Sequence, residues 1–148
     1  MDKIKPKKKW GQHFLTDSNI ALKIVNTLNF DSYKKILEIG SGTGIHTYSI
    51  LKTGAKITAT DISPSSIKIV NKKYSSFVEI NKLETKIADI ENLPFSDDSF
   101  DAITSAGSLS YGFRKKVDNE IYRVLKPGGK FICVDSLNNN LIYRANRF

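Results

Sequence analysis

The residues best suited to chemistry in this sequence lie at the ends of apolar runs. In "ILEIGSGTG" glycine recurs at positions 40, 42 and 44, after an apolar run and ahead of a helical pattern. Glycines at such a turn let the backbone approach a ligand at the helix amino terminus. Ile45 stands where the dinucleotide pattern G-x-G-x-x-G needs its third glycine. The turn therefore predicts a nucleotide site of another kind.

Three acidic residues narrow the choice of ligand. Glu38, two residues before the first glycine, can orient a cationic amino-acid group, directly or through water, and would be of no use to a pyrophosphate. Asp61 follows Gly40 by 21 residues, at a strand end where it can accept hydrogen bonds from both ribose hydroxyls. Asp89, followed by Ile90, can meet an adenine amino group. Together the three carboxylates predict an adenosine that carries a positive charge.

Alternating elements position these residues. Thr16-Asp17-Ser18 offers caps for a first helix, whose apolar residues recur at helical spacing up to Leu28. Five apolar runs predict strands at 35–40, 56–61, 85–89, 100–106 and 130–136. The helical stretches between them are one with Ile45, Tyr48 and Leu51 on its apolar face, one capped by Ser63 with Pro64 first, and one with Val117, Ile121, Val124 and Leu125 on one face. Strands and helices in this alternation predict a parallel α/β sheet with right-handed crossovers.

Composition indicates one globular domain. The chain has 148 residues, 40% of them hydrophobic. Residues 1–9 contain five lysines and one aspartate, so they supply +4 of the net charge of +8. Such a tail can screen phosphates by counterion release, but short basic blocks are more often solvated termini. We therefore predict a flexible basic tail at 1–9 and one domain at 10–148.

The single cysteine limits the compartment and the chemistry. Cys133 alone excludes an intramolecular disulfide and a cysteine-based metal cluster, and no metal site is expected. Its neighbours Phe131, Ile132 and Val134 predict a buried thiol. No secretory segment follows the lysines, and no apolar run is long enough to span a membrane. A cytoplasmic protein is predicted.

The stretch from Lys35 to Ser136 resembles a class I S-adenosylmethionine-dependent methyltransferase, through E-x-G-x-G-x-G, the aspartate of the second strand, "ADIENLPFSDDSFDAI" and "EIYRVLKPGGKFI". The resemblance implies S-adenosyl-L-methionine as cofactor and a Rossmann-like doubly wound sheet of five parallel strands, in the order 3-2-1-4-5, with helices on both faces. The residues predicted to bind the cofactor are Gln12, His13, Phe14, Leu15, Glu38, Gly40, Ser41, Gly42, Gly44, Asp61, Ile62, Asp89, Ile90 and Ser105.

Two segments give opposite indications about the acceptor. "GQHFL" at 11–15 resembles the opening motif of ribosomal RNA adenine dimethyltransferases, in which this segment lies over the cofactor. Adenine methylases also carry an Asn-Leu-Pro-Phe type of tetrad after strand four, where its aromatic ring stacks on a flipped base. Here "NLPF" at 92–95 precedes strand four, and the position directly after strand four is taken by "SAGSLSYG" at 105–112. In this position Leu93, Pro94 and Phe95 match packing residues of small-molecule methyltransferases.

The acceptor that we expect is a small molecule. "AGSLSYG" and "VDSLNNNLIYRANRF", together with the arm, resemble methyltransferases of lipopolysaccharide or capsule sugar assembly, which favours a sugar hydroxyl. Methylation of a hydroxyl needs a general base. The candidates are His13, His46 and Tyr111, and none is assigned. Nucleic acid is the less favoured partner, and an rRNA adenine-N6 methyltransferase is the alternative function.

The family pattern continues beyond Phe148 into a helix and an antiparallel strand pair. We therefore expect this chain to be truncated at its carboxyl end and to leave strand five as an exposed edge, which favours association. A homodimer that covers this edge is a predicted arrangement. A further alternative is a cofactor-binding domain that is inactive without the missing part.

Overall fold

The computed structural model describes residues 33–134. The strands are β1 (Lys35–Ile39), β2 (Lys56–Asp61), β3 (Leu83–Ile87), β4 (Phe100–Ala106) and β5 (Leu125–Val134). The helices are α1 (Ile45–Leu51), α2 (Pro64–Lys73), α3 (Ser75–Glu79) and α4 (Arg114–Val124), with a 3₁₀ turn at Leu109–Tyr111. The predicted tail, the arm with Gln12, His13, Phe14 and Leu15, the first helix and the residues after 134 lie outside this range.

The sheet confirms the predicted topology. Its strands are all parallel in the order β3-β2-β1-β4-β5. Successive residues of a strand point to opposite faces, so Ile36 packs in a cluster with Ile50 of α1 and Val70 of α2. Leu37 packs in a second cluster with Val117 and Ile121 of α4. Helices therefore cover both faces, and every described strand ends at the same edge.

Local capping follows the sequence at α2. Ser63 has extended backbone angles, its Oγ accepts a hydrogen bond from the Ser66 N–H, and Pro64 begins the helix. Proline suits this position because its missing N–H would have no partner in the first turn. In α1 the predicted apolar face is wrong at Tyr48, which is 47% exposed, whereas Thr47 is buried. The buried face of α1 is the side that packs against the sheet, and on this side lies the polar residue Thr47.

Several predicted boundaries shift. Strand β3 runs from Leu83, paired with Ile57, to Ile87, paired with Asp61, so Asp89 lies beyond the strand. Strand β5 begins at Leu125, directly after α4. Phe100 pairs with Leu125 and Ala102 pairs with Lys130, so the "KPGG" segment lies in a register shift between these two pairs. The short helix α3 was not predicted.

The prediction of a buried Cys133 is wrong. This residue is exposed, because β5 pairs only with β4 within the described residues and therefore forms an edge. Apolar neighbours in a sequence indicate a buried thiol only when both sides of the strand are covered.

Candidate cofactor site at the carboxyl ends of the strands

The loop between β1 and α1 depends on glycine. Gly40, Gly42 and Gly44 have φ values of 71°, 54° and 78°, a region that other residues rarely adopt. A Cβ on Gly40 would lie 2.4 Å from Cβ of Ser108, and one on Gly44 would lie 2.8 Å from the Tyr74 ring. The sequence predicted that glycines belong here, and the structure adds two neighbours that pack against them.

Asp61 ties the end of β2 to this loop. Its Oδ2 accepts a hydrogen bond from the Gly42 N–H at 2.9 Å, and its Oδ1 accepts one from the Ser63 N–H at 2.8 Å. Each carboxylate oxygen has a second lone pair. Asp61 can therefore hold the loop and still accept hydrogen bonds from a ligand.

Glu38 lies buried beneath the loop, at 3% exposure. Thr47 of α1 donates its hydroxyl to Oε2 of Glu38 at 2.6 Å. Burial raises the pKa of Glu38 from the ordinary 4.5 to about 7; the Thr47 hydrogen bond opposes this rise, and the Asp61 charge adds to it. No cation forms a salt bridge with Glu38 among residues 33–134. A positively charged ligand group nearby would favour its ionised form.

The loop after β4 closes onto the glycine loop. The hydroxyls of Ser105 and Ser108 are hydrogen-bonded at 2.6 Å, and Ser108 also donates to the carbonyl oxygen of Ile39 at 3.1 Å. Ser105 is buried at the end of β4. Within the described range, the Ser41 hydroxyl is buried without a hydrogen-bond partner. An unsatisfied buried hydroxyl in a glycine loop is suited to a polar ligand.

Tyr74 supports the loop from the other side. Its hydroxyl donates to the Gly44 carbonyl oxygen at 2.6 Å, and its ring stacks on Tyr48 with centroids 6.1 Å apart. Lys73 lies over the Tyr74 ring, with Nζ 5.1 Å from the centroid. Tyr74 is the residue after α2 and is buried. Helices α1 and α2 thus clamp the loop together.

The remaining residues predicted to bind the cofactor, Asp89, Ile90 and Ile62, are more exposed to solvent. Asp89 is exposed, and its Oδ1 accepts a hydrogen bond from the Glu91 N–H at 2.9 Å. Ile90 is half-buried, and Ile62 is 51% exposed. Ile62 and Asp89 are thus the more solvent-exposed of these predicted contacts.

The "NLPF" segment is a packing element. Leu93 is buried, and the Phe95 ring meets the Phe100 ring edge to face at 5.0 Å. Arg123 donates to the carbonyl oxygens of Leu93 and Phe95, while Glu120 accepts the Leu93 N–H. The segment precedes β4, as predicted, and α4 holds it in place. It therefore does not occupy the position of an adenine clamp.

The candidate bases differ in their surroundings. His46 is buried in the first turn of α1, with the apolar residues of that helix. Tyr111 ends the 3₁₀ turn after β4 and is 48% exposed. His13 lies outside the described residues. Tyr111 is thus the described candidate that an acceptor in solvent can reach.

Two further searches of residues 33–134 bear on function. No group of three or more His, Cys, Asp or Glu side chains is arranged to hold a metal ion there. The helices in the same range are too short or too polar to cross a bilayer.

Comparison with known proteins agrees with this geometry. The family model described as "Methyltransferase domain" matches residues 37–133. A sterol 4-C-methyltransferase of Caenorhabditis elegans is 36% identical over 125 residues, which are 84% of this chain and 37% of that protein. A ribosomal RNA small subunit methyltransferase A of Sulfurihydrogenibium is 36% identical over 112 residues, 75% of this chain and 43% of that protein. The chain thus spans less than half of either relative.

A solved structure shows the same fold. The structure described as a putative S-adenosyl-L-methionine-dependent methyltransferase from Methanococcus maripaludis superimposes with a TM-score of 0.70 and 27% identity. The match covers 86% of this chain and 59% of that one.

Proposed function

We propose, from the fact that this chain belongs to the class I S-adenosyl-L-methionine-dependent methyltransferase family, that the protein transfers a methyl group to a small-molecule acceptor. The observation that carries the proposal is the meeting of Glu38 and Asp61 at one glycine loop, where the Asp61 carboxylate accepts the Gly42 N–H at 2.9 Å. S-adenosyl-L-methionine, when bound, supplies an electrophilic methyl group on a sulfonium.

The described residues suit that cofactor in the roles predicted from the sequence. Asp61 has lone pairs left for ribose hydroxyls, and Glu38 is a buried carboxylate that a cationic ammonium group would stabilise in its ionised form. Ser41 brings an unsatisfied hydroxyl to the same loop. In this proposal Asp89 and Ile90 contact the adenine, and Ile62 is a further cofactor contact. We include the arm residues Gln12, His13, Phe14 and Leu15 in the proposed site.

The chain contributes to catalysis mainly by alignment. Hydrogen bonds with Asp61, Ser108 and Tyr74 hold the glycine loop in place. A cofactor bound on this loop would be positioned relative to the acceptor, and such positioning is a large part of the catalysis of a displacement. For a hydroxyl acceptor, Tyr111 is the candidate base among the described residues that is open to solvent.

The finer acceptor that we propose is a sugar hydroxyl, on the resemblance of "AGSLSYG" and the C-terminal segment to sugar-assembly methyltransferases. The test is release of S-adenosylhomocysteine with sugars, sterols and quinones as acceptors, each with wild type and Asp61→Ala. Turnover with a sugar but not with a sterol or a quinone supports the sugar hydroxyl as acceptor. Turnover with another small molecule keeps the methyltransferase and rejects the sugar. Cofactor binding without turnover on any acceptor means an inactive binding domain.

An rRNA adenine methyltransferase is the second candidate, because one relative carries that name. The buried Leu93 and the place of "NLPF" ahead of β4 weigh against it. If RNA is the acceptor, affinity for RNA will fall steeply with salt and will drop when residues 1–9 are deleted. Methylation of small molecules without RNA binding rejects this candidate.

We also propose a homodimer across the β5 edge, with residues 10–148 as one domain, the tail at 1–9 and a cytoplasmic location. The support is that β5 pairs with one strand only in the described range and exposes Phe131, and unpaired edges associate. Sedimentation of wild type and Phe131→Lys tests it: the dimer should dissociate in the variant, and a monomeric wild type rejects it.

A further inference from the structure

A row of lysines lies at the amino ends of three neighbouring strands, on the edge opposite the proposed cofactor site. The Lys56 N–H donates to the Lys34 carbonyl oxygen at 2.9 Å, and the Ile57 N–H donates to the Lys82 carbonyl oxygen at 2.9 Å. Paired strands lie about 4.8 Å apart. The backbones of Lys34, Lys56 and Lys82 are therefore spaced one strand from the next.

These lysines line a single cleft. An open cavity of about 320 Å³ is lined by Tyr33, Lys34, Thr53, Gly54, Ala55, Lys56 and Lys82. No carboxylate is among its lining residues. Within residues 33–134, Lys34, Lys56 and Lys82 form no salt bridge. The residues that line the cleft thus include three lysines and two hydroxyl-bearing residues but no acidic residue.

An acidic residue at this edge, Asp101, already binds other groups. The Asp101 carboxylate accepts the backbone N–H groups of Lys34 and Lys35 at 2.9 and 2.7 Å, and its other oxygen accepts Lys126 Nζ at 2.6 Å. Its salt bridge is therefore with Lys126 and not with a lysine of the cleft. An anion bound among the three lysines of the cleft would be attracted to each of them.

One of the lysines is held in position beforehand. Lys82 Nζ donates to the Gly54 carbonyl oxygen at 2.8 Å, and Thr53 Oγ1 accepts the Ala55 N–H at 3.3 Å. Both contacts order the turn after α1 that forms the floor of the cleft. A group fixed in this way loses less freedom when a ligand binds.

We propose that this cleft binds a phosphate group, as carried by a small phosphorylated anion. Lysine is a point-charge donor suited to phosphate, and the volume is at the lower end of the range for small-molecule pockets. The site is separate from the proposed cofactor site, because parallel strands put their amino and carboxyl ends at opposite edges. The same phosphate chemistry occurs in an RNA backbone, so the test separates the two sources.

The experiment titrates the full chain with pyrophosphate and with a short single-stranded RNA, at low salt, and follows the amide signals of Gly54 and Ala55 by NMR. The test variant is Lys34→Gln/Lys56→Gln/Lys82→Gln. Its control, Lys68→Gln/Lys72→Gln/Lys115→Gln, removes the same charge from exposed positions on α2 and α4. If the test variant does not fold, Lys34→Gln is compared with Lys68→Gln.

Pyrophosphate is expected to shift Gly54 and Ala55, with affinity at least about tenfold weaker in the test variant. The control is expected to bind within about twofold of wild type, because distant charges are screened. If RNA shifts these two amide signals and pyrophosphate does not, the site stands and its phosphate belongs to a polymer. Equal losses in both triple variants, or no shift with either probe, would overturn the proposal.

Discussion

The two edges of the sheet have opposite chemistry. The carboxyl edge carries Glu38, Asp61 and Asp89, and the amino edge carries lysines with Asp101 among them. At the first, burial raises the pKa of Glu38 to about 7. At the second, burial alone would raise the pKa of Asp101, but hydrogen bonds from Lys126, Lys35 and Lys34 outweigh it and hold the pKa below 3.8. The two edges of one parallel sheet thus differ in charge, which is why we propose a cation-bearing ligand at the first edge and an anion at the second.

The glycine loop gives the largest expected effect, with a matched control at the other edge. Gly40 and Gly54 both have positive φ, 71° and 82°, but an added Cβ meets Ser108 at 2.4 Å only at Gly40. Gly40→Ala should lower the free energy of unfolding by about 2–5 kcal/mol, from backbone strain plus overpacking, and Gly54→Ala by about 1–2. Urea unfolding measures both. Equal losses would mean that the Ser108 contact is unimportant.

The raised pKa of Glu38 predicts an unusual pH dependence. A carboxyl whose folded pKa exceeds its unfolded value binds extra protons in the folded state, so its stabilisation is complete below about 4.5 and is lost as pH rises to about 7. The free energy of unfolding should fall by about 3 kcal/mol across that window. Glu38→Gln should remove this slope, whereas Glu84→Gln, an exposed change on β3, should keep it. An unchanged slope in Glu38→Gln would contradict the assignment.

Tyr74 tests the clamp on the loop. Tyr74→Phe removes the hydroxyl that donates to Gly44 at 2.6 Å and should cost about 1–2 kcal/mol of stability. The ring remains, so the variant tests the hydroxyl alone. Because this hydroxyl holds the glycine loop, its loss should also weaken the binding of S-adenosylhomocysteine, measured by calorimetry. Tyr48→Phe is the control, as Tyr48 is exposed and stacks on the same ring. Similar binding by both variants would show that the hydroxyl does not position the loop.

Asp101 should have the smallest effect on stability, and its pH dependence should be opposite to that of Glu38. Its lowered pKa means that its stabilisation is present above pH 3.8 and is lost as pH falls through the folded value. Asp101→Asn should cost on the order of 1 kcal/mol or less at neutral pH, and the cost should disappear in acid. Thermal unfolding at both pH values measures this. A cost that persists in acid would indicate lost packing instead of lost charge.

Short-range patterns predicted the parallel sheet and the positions of Gly40, Gly42, Gly44 and Asp61, and the family resemblance implied the strand order. Alternation and capping depend on neighbours in sequence, as at Ser63 and Pro64. The supports of the loop were missed, because Tyr74 contacts Gly44 across 30 residues and Ser108 contacts Ile39 across 69. Thr47 was missed because a polar residue on the inner face of α1 breaks the apolar pattern. Cys133 was misplaced because apolar neighbours predict burial only where both sides of a strand are covered, and β5 is an edge of the described sheet.

The central claim is that the carboxyl edge binds the cofactor through Asp61. Calorimetric titration of the full chain with S-adenosylhomocysteine tests it, with Asp61→Asn against Asp98→Asn, an exposed change whose backbone φ of 53° asparagine tolerates. The account predicts binding to wild type and to Asp98→Asn, and a loss of at least about tenfold in Asp61→Asn. Unchanged affinity in a folded Asp61→Asn protein would contradict it.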